Sequence, residues 1–391
     1  MAETKKIGIL TGGGDVPGLN PVIKSVVYGA SHIGRTVTGI RRGWEGLTHL
    51  DPSGANDDLY VRELTRDNTR TIDRIGGTIL HTSRTNPRKM SASRVPKNIS
   101  PEDLKKLPFD GKYYDFTSVV IRNLQRLGID CLVAIGGDDT LSFASALSKA
   151  GFPVVAVPKT MDNDVQSTEY CIGFSTAVTR ARDAITRQRT TVGSHERIGI
   201  FRIFGRDAGF TALYTAYVTG IRCLIPEYPF DMGRICEILV QDKKNNSSNY
   251  ALVLASEGAV WKDGEVKEYG EADAYGHRKK ADIGQILADE IRGRTGNETI
   301  NSDLTYDLRA GEPDSIDQIV AIGFANIALE LIRDGVSGRM TAIQGGRYAQ
   351  VPIPDAALGP RKVDIASLYN IERYRPSYKS KIGAPLLFSG S

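Results

Sequence analysis

The chain has 391 residues, 40% hydrophobic and 25% charged, which is ordinary for a globular protein with one large or two medium domains. Its net charge of +4 at pH 7 is too small for the basic surface of a nucleic-acid-binding protein, although it suits small anionic substrates. The apolar runs are too short to span a bilayer, and the first residues lack the pattern of a signal peptide, so we expect no membrane partner.

The four cysteines are far apart in the sequence and lie in mostly apolar surroundings. They are Cys131, Cys171, Cys223 and Cys236. No pair has the spacing of metal ligands, so we expect reduced thiols in the core of a cytoplasmic protein.

Short apolar runs alternate with longer amphipathic stretches along the chain. The predicted strands are residues 6–11, 36–40, 131–135, 153–157, 198–203 and 251–255. The predicted helices are one that opens at Pro21 after an Asn20 cap, and residues 115–127, 140–149, 174–191, 283–293 and 327–335. This alternation predicts an α/β fold with a mainly parallel sheet.

The polar segments between these elements predict surface structure. Residues 45–60 and 86–113 are expected to be surface excursions, and residues 242–249 a solvated loop. The tail after Pro352 has little periodicity, and we expect it to wrap the surface or an interface.

Three segments whose residues could bind a ligand or take part in catalysis follow predicted strands. In parallel α/β sheets, ligands bind at this position. The first, residues 11–20 (TGGGDVPGLN), has glycines that let main-chain N–H groups approach a phosphate. Such turns also form for packing reasons alone, so this segment leaves both interpretations open.

The second segment, residues 136–140 (GGDDT), places two carboxylates side by side before a helix. Adjacent acids are costly unless a cation or hydrogen-bond donors satisfy them, and oxygen ligands near a phosphate suit Mg²⁺. Asp138 is therefore the candidate metal ligand. The alternative reading, that Asp139 caps the helix at Thr140, does not exclude a metal at Asp138.

The third segment, residues 158–164 (PKTMDND), combines one cation, two carboxylates, an amide and a hydroxyl. A solvated turn could have this composition. Two phosphate-binding candidates precede it in the same position after a strand, however, and this favours a catalytic site.

In order and spacing, these three segments resemble those of the phosphofructokinase family. Further matches are GTILHTSR at 77–84, SHER at 194–197, FGRDAG at 204–209, PE at 226–227 and YDLRAG at 306–311. The resemblance covers about residues 5–315. It implies two Rossmann-like α/β lobes with mainly parallel sheets and an active site in the cleft between them.

The resemblance also implies a division of the chain. Residues 1–160 would form a donor-binding lobe, which part of the C-terminal region is expected to rejoin. Residues 161–335 would bind the sugar phosphate, and residues 336–391 would form an extension at the surface or an interface.

Asp139 and Lys159 select the phosphoryl donor in this interpretation, because ATP-using relatives have glycine at both positions. A carboxylate at Asp139 would lie where the α-phosphate of ATP must pass, and it would repel that phosphate. An ammonium at Lys159 can hold the transferring phosphoryl group and the leaving phosphate. The resemblance therefore implies reversible, Mg²⁺-dependent transfer from pyrophosphate to fructose 6-phosphate, in glycolysis or gluconeogenesis.

The resemblance assigns roles around the donor. Asp162 would be the general base, and a carboxylate beside Lys159 is expected to stay ionised. Asp164 would support Asp162 or the waters of the metal. The predicted donor-binding residues are Gly13, Gly14, Arg84, Asp139 and Lys159.

The acceptor and the transition state are assigned to a second set. Arg206 would neutralise the transition state or hold the sugar near its 1-position, and Glu227 would accept hydrogen bonds from sugar hydroxyls. Tyr306 and Arg309 would contact the distal phosphate, with Arg197 arriving from a neighbouring subunit of a homodimer or homotetramer. The whole predicted substrate set is Thr160, Asp162, Asp164, Arg197, Phe204, Gly205, Arg206, Glu227, Tyr306 and Arg309. Each of these arginines could instead form a surface ion pair.

The sequence departs from the family pattern near the acceptor. Many relatives carry an arginine after a Glu-Thr pair, where this chain has Ile300, and Leu308 and Ala310 replace a glutamine and a glycine. One cation expected on the distal phosphate is thus missing. Sedoheptulose 7-phosphate is therefore kept as a second acceptor beside fructose 6-phosphate.

Other functions fit the sequence less well. Asp139 and Lys159 disfavour an ATP-dependent phosphofructokinase. A catalytically silent paralogue would lack Asp138, Asp162 or Arg206, and all three are present. A nicotinamide dehydrogenase would need a clean G-x-G-x-x-G, and the order of motifs disfavours a sugar kinase of another fold.

Overall fold

The computed structural model describes residues 5–264 and 282–378, together with the backbone of two short strands at Glu268–Tyr269 and Lys279–Lys280. Two sheets organise this part of the chain. Both are flanked by helices, as the sequence predicted.

The larger sheet has seven strands, of which the five inner ones run parallel and the two edge strands antiparallel. In order across the sheet they are Arg347–Pro352, Arg339–Gln344, Val154–Pro158, Cys131–Gly136, Lys6–Thr11, Thr36–Ile40 and Val61–Leu64. The register pairs Thr11 with Ile135, and Ile135 with Val157. The three segments that follow these strands therefore emerge side by side.

The smaller sheet has four parallel strands. In order they are Thr299–Asp303, Ile198–Ile203, Ala251–Ser256 and Arg222–Leu224. The segments after Ile203, Ser256 and Asp303 share one edge, because Arg202 pairs with both Ala255 and Asp303.

Helices cover both sheets. Those of six or more residues are Leu19–His32, Trp44–His49, Thr117–Arg126, Asp138–Lys149, Phe174–Ser194, Phe210–Thr219, Met232–Asn245, Ile283–Thr295 and Ser315–Arg333. Shorter helical turns are Asp57–Tyr60, Arg66–Thr69, Pro101–Lys105 and Ile365–Leu368. Ile9 and Leu10 point to opposite faces of the large sheet and belong to two different core clusters. The cluster that contains Ile9 continues to Ile200 in the small sheet, so one core joins the two sheets.

The first helix begins before the predicted cap. It runs from Leu19, with Gly18 as the capping residue at φ 110°, so the prediction of an Asn20 cap followed by Pro21 was wrong. The Asn20 side chain donates to the carbonyls of Ile75 and Gly76 and accepts from the amide of Ile79. Asn20 therefore orders the loop that leads to Arg84, a long-range role that local sequence does not reveal.

Several predicted boundaries were also wrong. The helix expected at 327–335 begins at Ser315, and the loop expected from residue 242 is helical as far as Asn245. The segment 45–60, expected at the surface, begins inside helix Trp44–His49, which buries Trp44 and Leu47. At residues 244 and 245 polar side chains at exposed helix positions resembled a loop.

Helix Ser315–Arg333 is, among the described residues, long and apolar enough to cross a membrane by length and composition alone. Half of that apolar stretch is buried inside the protein, where the helix packs against Leu19–His32. A core helix of a globular protein has the same properties.

The four cysteines are free and buried, as predicted.

Strands Arg339–Gln344 and Arg347–Pro352 extend the large sheet. The segment after them crosses to the small sheet, where the amide of Cys223 donates to the carbonyl of Tyr374. The division of the chain at residues 160 and 335 stays a prediction.

Candidate active site

A cleft of about 1180 Å³ lies at the ends of the parallel strands and is lined by residues that follow strands of both sheets. It brings together most of the predicted site residues. These are Gly13, Gly14, Arg84, Asp138, Asp139, Lys159, Thr160, Asp162, Asp164, Phe204, Arg206, Tyr306 and Arg309. Three other predicted residues, Arg197, Gly205 and Glu227, are not part of the described lining.

Among the glycines of the first segment, Gly12 is needed for close packing, whereas Gly13 and Gly14 line the cleft. A Cβ atom on Gly12 would lie 2.5 Å from Oγ1 of Thr140, so the packing interpretation applies there. Gly13, with φ 79°, and Gly14 line the cleft. The left-handed conformation of Gly13 is one that other residues rarely adopt, and it turns the loop towards the cleft.

Lys159 is the buried cation of the cleft, with only 4% of its surface exposed. Its ammonium donates to the carbonyl of Gly14 at 2.5 Å. Burial lowers the pKa of Lys159 to about 8, and the positive charge of Arg309 acts in the same direction. A bound anion would relieve both effects, so the site is electrostatically prepared for a phosphate.

Several carboxylates line the same cleft. Burial, followed by the charges of Asp139 and Asp207, raises the pKa of Asp138 to about 7. Burial and the charge of Asp138 likewise raise the pKa of Asp164 to about 7. Helix Asp138–Lys149 begins at Asp138 without a side-chain cap, so Asp139 is not the helix cap.

This group of acids fits a divalent cation, because carboxylates that repel one another are stabilised by a shared positive charge. Within the described residues, no three His, Cys, Asp or Glu side chains are grouped as a complete metal site. Mg²⁺ is commonly held by one or two carboxylates together with substrate phosphates and water. Asp138 and its neighbours are compatible with that mode of binding.

The surroundings of Asp162 act against the expectation that Lys159 keeps this carboxylate ionised. Burial raises the pKa of Asp162 well above its usual value, and the charges of Asp164 and Glu257 add to the effect. The main-chain amide of Arg206 and the charge of Arg309 oppose this shift without overcoming it. The Lys159 ammonium is instead directed to Gly14.

Arg309 contacts the glycine loop and the loop that contains Phe204. It donates to the carbonyl of Asp15 at 3.0 Å, and its guanidinium lies 4.4 Å from the ring centre of Phe204. A Cβ atom on Gly14 would collide with Arg309. Arg309 therefore contacts the donor side of the cleft as well as Phe204. The neighbouring predicted residue Tyr306 lines the cleft and is 83% exposed.

Glu227 does not reach the described cleft lining, although the sequence assigned it to the sugar. Its carboxylate accepts from the amide of Gly209 at 2.9 Å and 3.1 Å and from the amide of Val363 at 2.9 Å. Burial raises the pKa of Glu227. Both oxygens thus hold main-chain groups within the protein.

Sequence reasoning missed Glu257, which lines the cleft directly after strand Ala251–Ser256. Its carboxylate lies 3.5 Å from Arg202 and 3.9 Å from Arg206. The signal that could have found it is an acid at the carboxyl end of a predicted strand, the same position that marked Asp138.

Arg197 precedes strand Ile198–Ile203, whereas Arg206 follows it. A six-residue strand spans about 20 Å, so the two arginines lie at opposite ends of the small sheet. Ile300 pairs with Gly199 and belongs to the end near Arg197. Within one chain, neither Arg197 nor Ile300 lines the cleft.

Residues 6–332 match the phosphofructokinase family. The chain belongs to this family. The predicted family and its α/β fold are therefore confirmed, and the chain is an enzyme of the phosphotransferase class.

A relative of this phosphofructokinase, from Streptomyces coelicolor (strain ATCC BAA-471 / A3(2) / M145), carries the name pyrophosphate–fructose 6-phosphate 1-phosphotransferase. It is 37% identical over 365 residues, which cover 92% of this chain and 97% of the relative. An ATP-dependent 6-phosphofructokinase from Corynebacterium efficiens is 36% identical over 365 residues, 92% of this chain and 95% of its own. Because relatives named for either donor are equally similar, overall identity does not select the donor.

The solved structure of a pyrophosphate-dependent phosphofructokinase from Marinobacter aquaeolei has the same fold. It matches with a TM-score of 0.77 at 17% identity, over 99% of this chain and 92% of its own. The C-terminal strands and the segment that follows them are thus included in the structural match, although the family match ends at residue 332.

Proposed function

We propose that this phosphofructokinase transfers a phosphoryl group from pyrophosphate to the 1-hydroxyl of fructose 6-phosphate. The observation that carries the proposal is the buried Lys159 ammonium bound to the glycine loop at Gly14. A cation fixed in this position can stabilise the charge of both phosphates of pyrophosphate during transfer. Asp139 at the same cleft disfavours the additional phosphate and bulk of ATP.

The proposed chemistry uses Asp162 as the general base. The sugar oxygen forms a new bond to one phosphorus, the bridging P–O bond of pyrophosphate breaks, and orthophosphate leaves on the side of Lys159. The hydroxyl proton passes to Asp162. A raised pKa suits this role, since a more basic carboxylate is the stronger proton acceptor when ionised.

Mg²⁺ would be held through Asp138, with Asp139 and Asp164 nearby, and would neutralise charge on pyrophosphate. Arg206, next to Glu257, would stabilise charge near the reacting sugar hydroxyl. We assign this Mg²⁺-dependent reaction to glycolysis or gluconeogenesis in the cytoplasm, where the four free cysteines would remain reduced. Pyrophosphate and a sugar phosphate ester have similar transfer potentials, so the reaction would be reversible.

We propose a homodimer or homotetramer as the active form. The support is the position of Arg197, which lies at the end of strand Ile198–Ile203 remote from the cleft of its own chain but could enter the cleft of a second copy. There it would bind the distal phosphate of the acceptor.

The decisive experiment is a coupled assay with fructose 6-phosphate and Mg²⁺ that compares pyrophosphate with ATP at matched concentrations. Turnover with pyrophosphate, and formation of pyrophosphate from fructose 1,6-bisphosphate and phosphate, would support the proposal. Comparable kcat/KM with ATP would overturn it. Repeating the assay with sedoheptulose 7-phosphate tests the second acceptor that Ile300 leaves open.

A further inference from the structure

Three consecutive residues near the C-terminus, Arg361, Lys362 and Val363, connect two loops of the active-site cleft. They lie beyond residue 332, where the family match ends. One loop, residues 159–172, carries Asp162, and the other, residues 204–209, carries Arg206. We call residues 361–363 the C-terminal clamp.

Arg361 binds the loop of Asp162 through main-chain groups. Its amide donates to the carbonyl of Asp164 at 2.6 Å, and its guanidinium donates to the carbonyls of Asn163 at 2.7 Å and Glu169 at 3.2 Å. Asn163 is buried at φ 54°, a conformation that costs energy for a residue other than glycine. The contacts of Arg361 therefore stabilise a strained turn next to the base.

The same clamp also binds the second loop. The guanidinium of Arg361 lies 4.2 Å from the ring centre of Phe210, which begins the helix after that loop. The Lys362 ammonium donates to the carbonyl of Asp207, and the amide of Val363 donates to Glu227. Glu227 in turn accepts from the amide of Gly209, so the clamp reaches the part of the loop that follows Arg206.

We propose that Arg361 is a positioning residue, which acts through the C-terminal clamp to fix Asp162 relative to Arg206. The inference rests on the proposed function, in which Asp162 is the base. The proposal explains why the buried carboxylate of Glu227 accepts from main-chain amides, since these hydrogen bonds connect the clamp to the Arg206 loop. Displacement of a base by about 1 Å can reduce a rate about 10²-fold, so modest loosening of the clamp would be visible in turnover.

The kinetic test compares Arg361→Met with Arg361→Lys, and with Arg373→Met as a control at an exposed position of the same segment. We expect Arg361→Met to lower kcat by about 10–100-fold with nearly unchanged KM for both substrates. Arg361→Lys should recover part of the loss, and Arg373→Met should resemble the parent enzyme. Near-normal kcat in Arg361→Met would overturn the proposal.

A double-mutant cycle with Asp162→Asn separates positioning from a general structural effect. If Arg361 acts through the base, Arg361→Met should lower the residual activity of Asp162→Asn far less than it lowers that of the parent enzyme. Fully additive losses would show that Arg361 does not act through Asp162, and would overturn the proposal.

Hydrogen exchange tests the clamp without relying on any activity. In Arg361→Met, amides of residues 160–172 and 206–209 should exchange faster, with no such change in Arg373→Met. Unchanged exchange in both loops would overturn the clamp, whereas absence of pyrophosphate turnover in the parent enzyme would overturn only the proposed function. If Arg361→Met does not fold, Arg361→Lys and Lys362→Met provide the same comparison.

Discussion

The ammonium of Lys159 donates a hydrogen bond of 2.5 Å to the main-chain carbonyl of Gly14, and this contact fixes a buried cation on the loop that we assign to pyrophosphate. A Cβ atom on Gly13 would lie 3.2 Å from the same ammonium. The cation and the glycine loop thus form one anion site, although 145 residues separate Gly14 from Lys159.

The protonation of Lys159 predicts how pyrophosphate use depends on pH. Burial lowers its pKa to about 8, so the cation is lost as the pH rises through that value, and kcat/KM for pyrophosphate should fall. Lys159→Arg, which stays charged, should move this fall to higher pH. Lys159→Met should have low activity at every pH and should not show this fall. Pyrophosphate itself titrates in this range, but it does so equally in all three proteins, and identical profiles would exclude Lys159.

Loss of the proposed base should affect turnover more than binding. Asp162→Asn is nearly isosteric but cannot accept the hydroxyl proton, so kcat should fall by about 10²–10⁴-fold with smaller changes in either KM. Steady-state kinetics in both reaction directions measure this effect. A variant that retains near-normal kcat would remove Asp162 from the role.

Donor selection should reside in Asp139 and Lys159. Asp139→Gly removes a carboxylate that would repel the α-phosphate, and it should permit measurable ATP binding or turnover. Lys159→Gly alone should mainly harm pyrophosphate use, because a cation is lost without new space. The double variant is the stringent comparison. If neither Asp139→Gly nor the double variant gains any ATP binding or activity, donor selection depends on other residues.

Two glutamates provide a matched comparison at the acceptor side. Glu257 lines the cleft beside Arg206, whereas the carboxylate of Glu227 holds two main-chain amides. Glu257→Gln should raise the KM for fructose 6-phosphate, and Glu227→Gln should change that KM much less. The expected loss for a charge-assisted hydrogen bond is about 1.5–3 kcal/mol. The opposite order of KM values would restore Glu227 as the sugar ligand.

Subunit complementation should reveal the origin of Arg197. Arg197→Ala should raise the KM for the sugar phosphate and leave that for pyrophosphate nearly unchanged. Mixed oligomers of Arg197→Ala and Asp162→Asn chains should recover activity, because one site receives an intact base from one chain and an intact arginine from the other. An active monomer, or no recovery after proven subunit exchange, would contradict the shared site.

The sequence by itself determined the strands that carry the site and the segments that follow them. Residues 6–11 and 198–203 were predicted with the bounds that the structure has, because short, mostly apolar runs are local signals. Parallel strands place their carboxyl ends at one edge. Asp138, Lys159 and Asp162 could therefore be assigned to one edge of a sheet from the strand pattern. Arg206 follows a strand of the other sheet, and its place in the same cleft was implied by the family resemblance.

Only the tertiary structure decided which groups these side chains face. Asp162 and Lys159 are three residues apart in sequence, yet burial and the neighbouring carboxylates set the pKa of the acid, while the ammonium binds Gly14. Glu227 and Arg361 take their roles from contacts across more than a hundred residues. Burial and such distant contacts are set when the whole chain packs, and no local pattern encodes them.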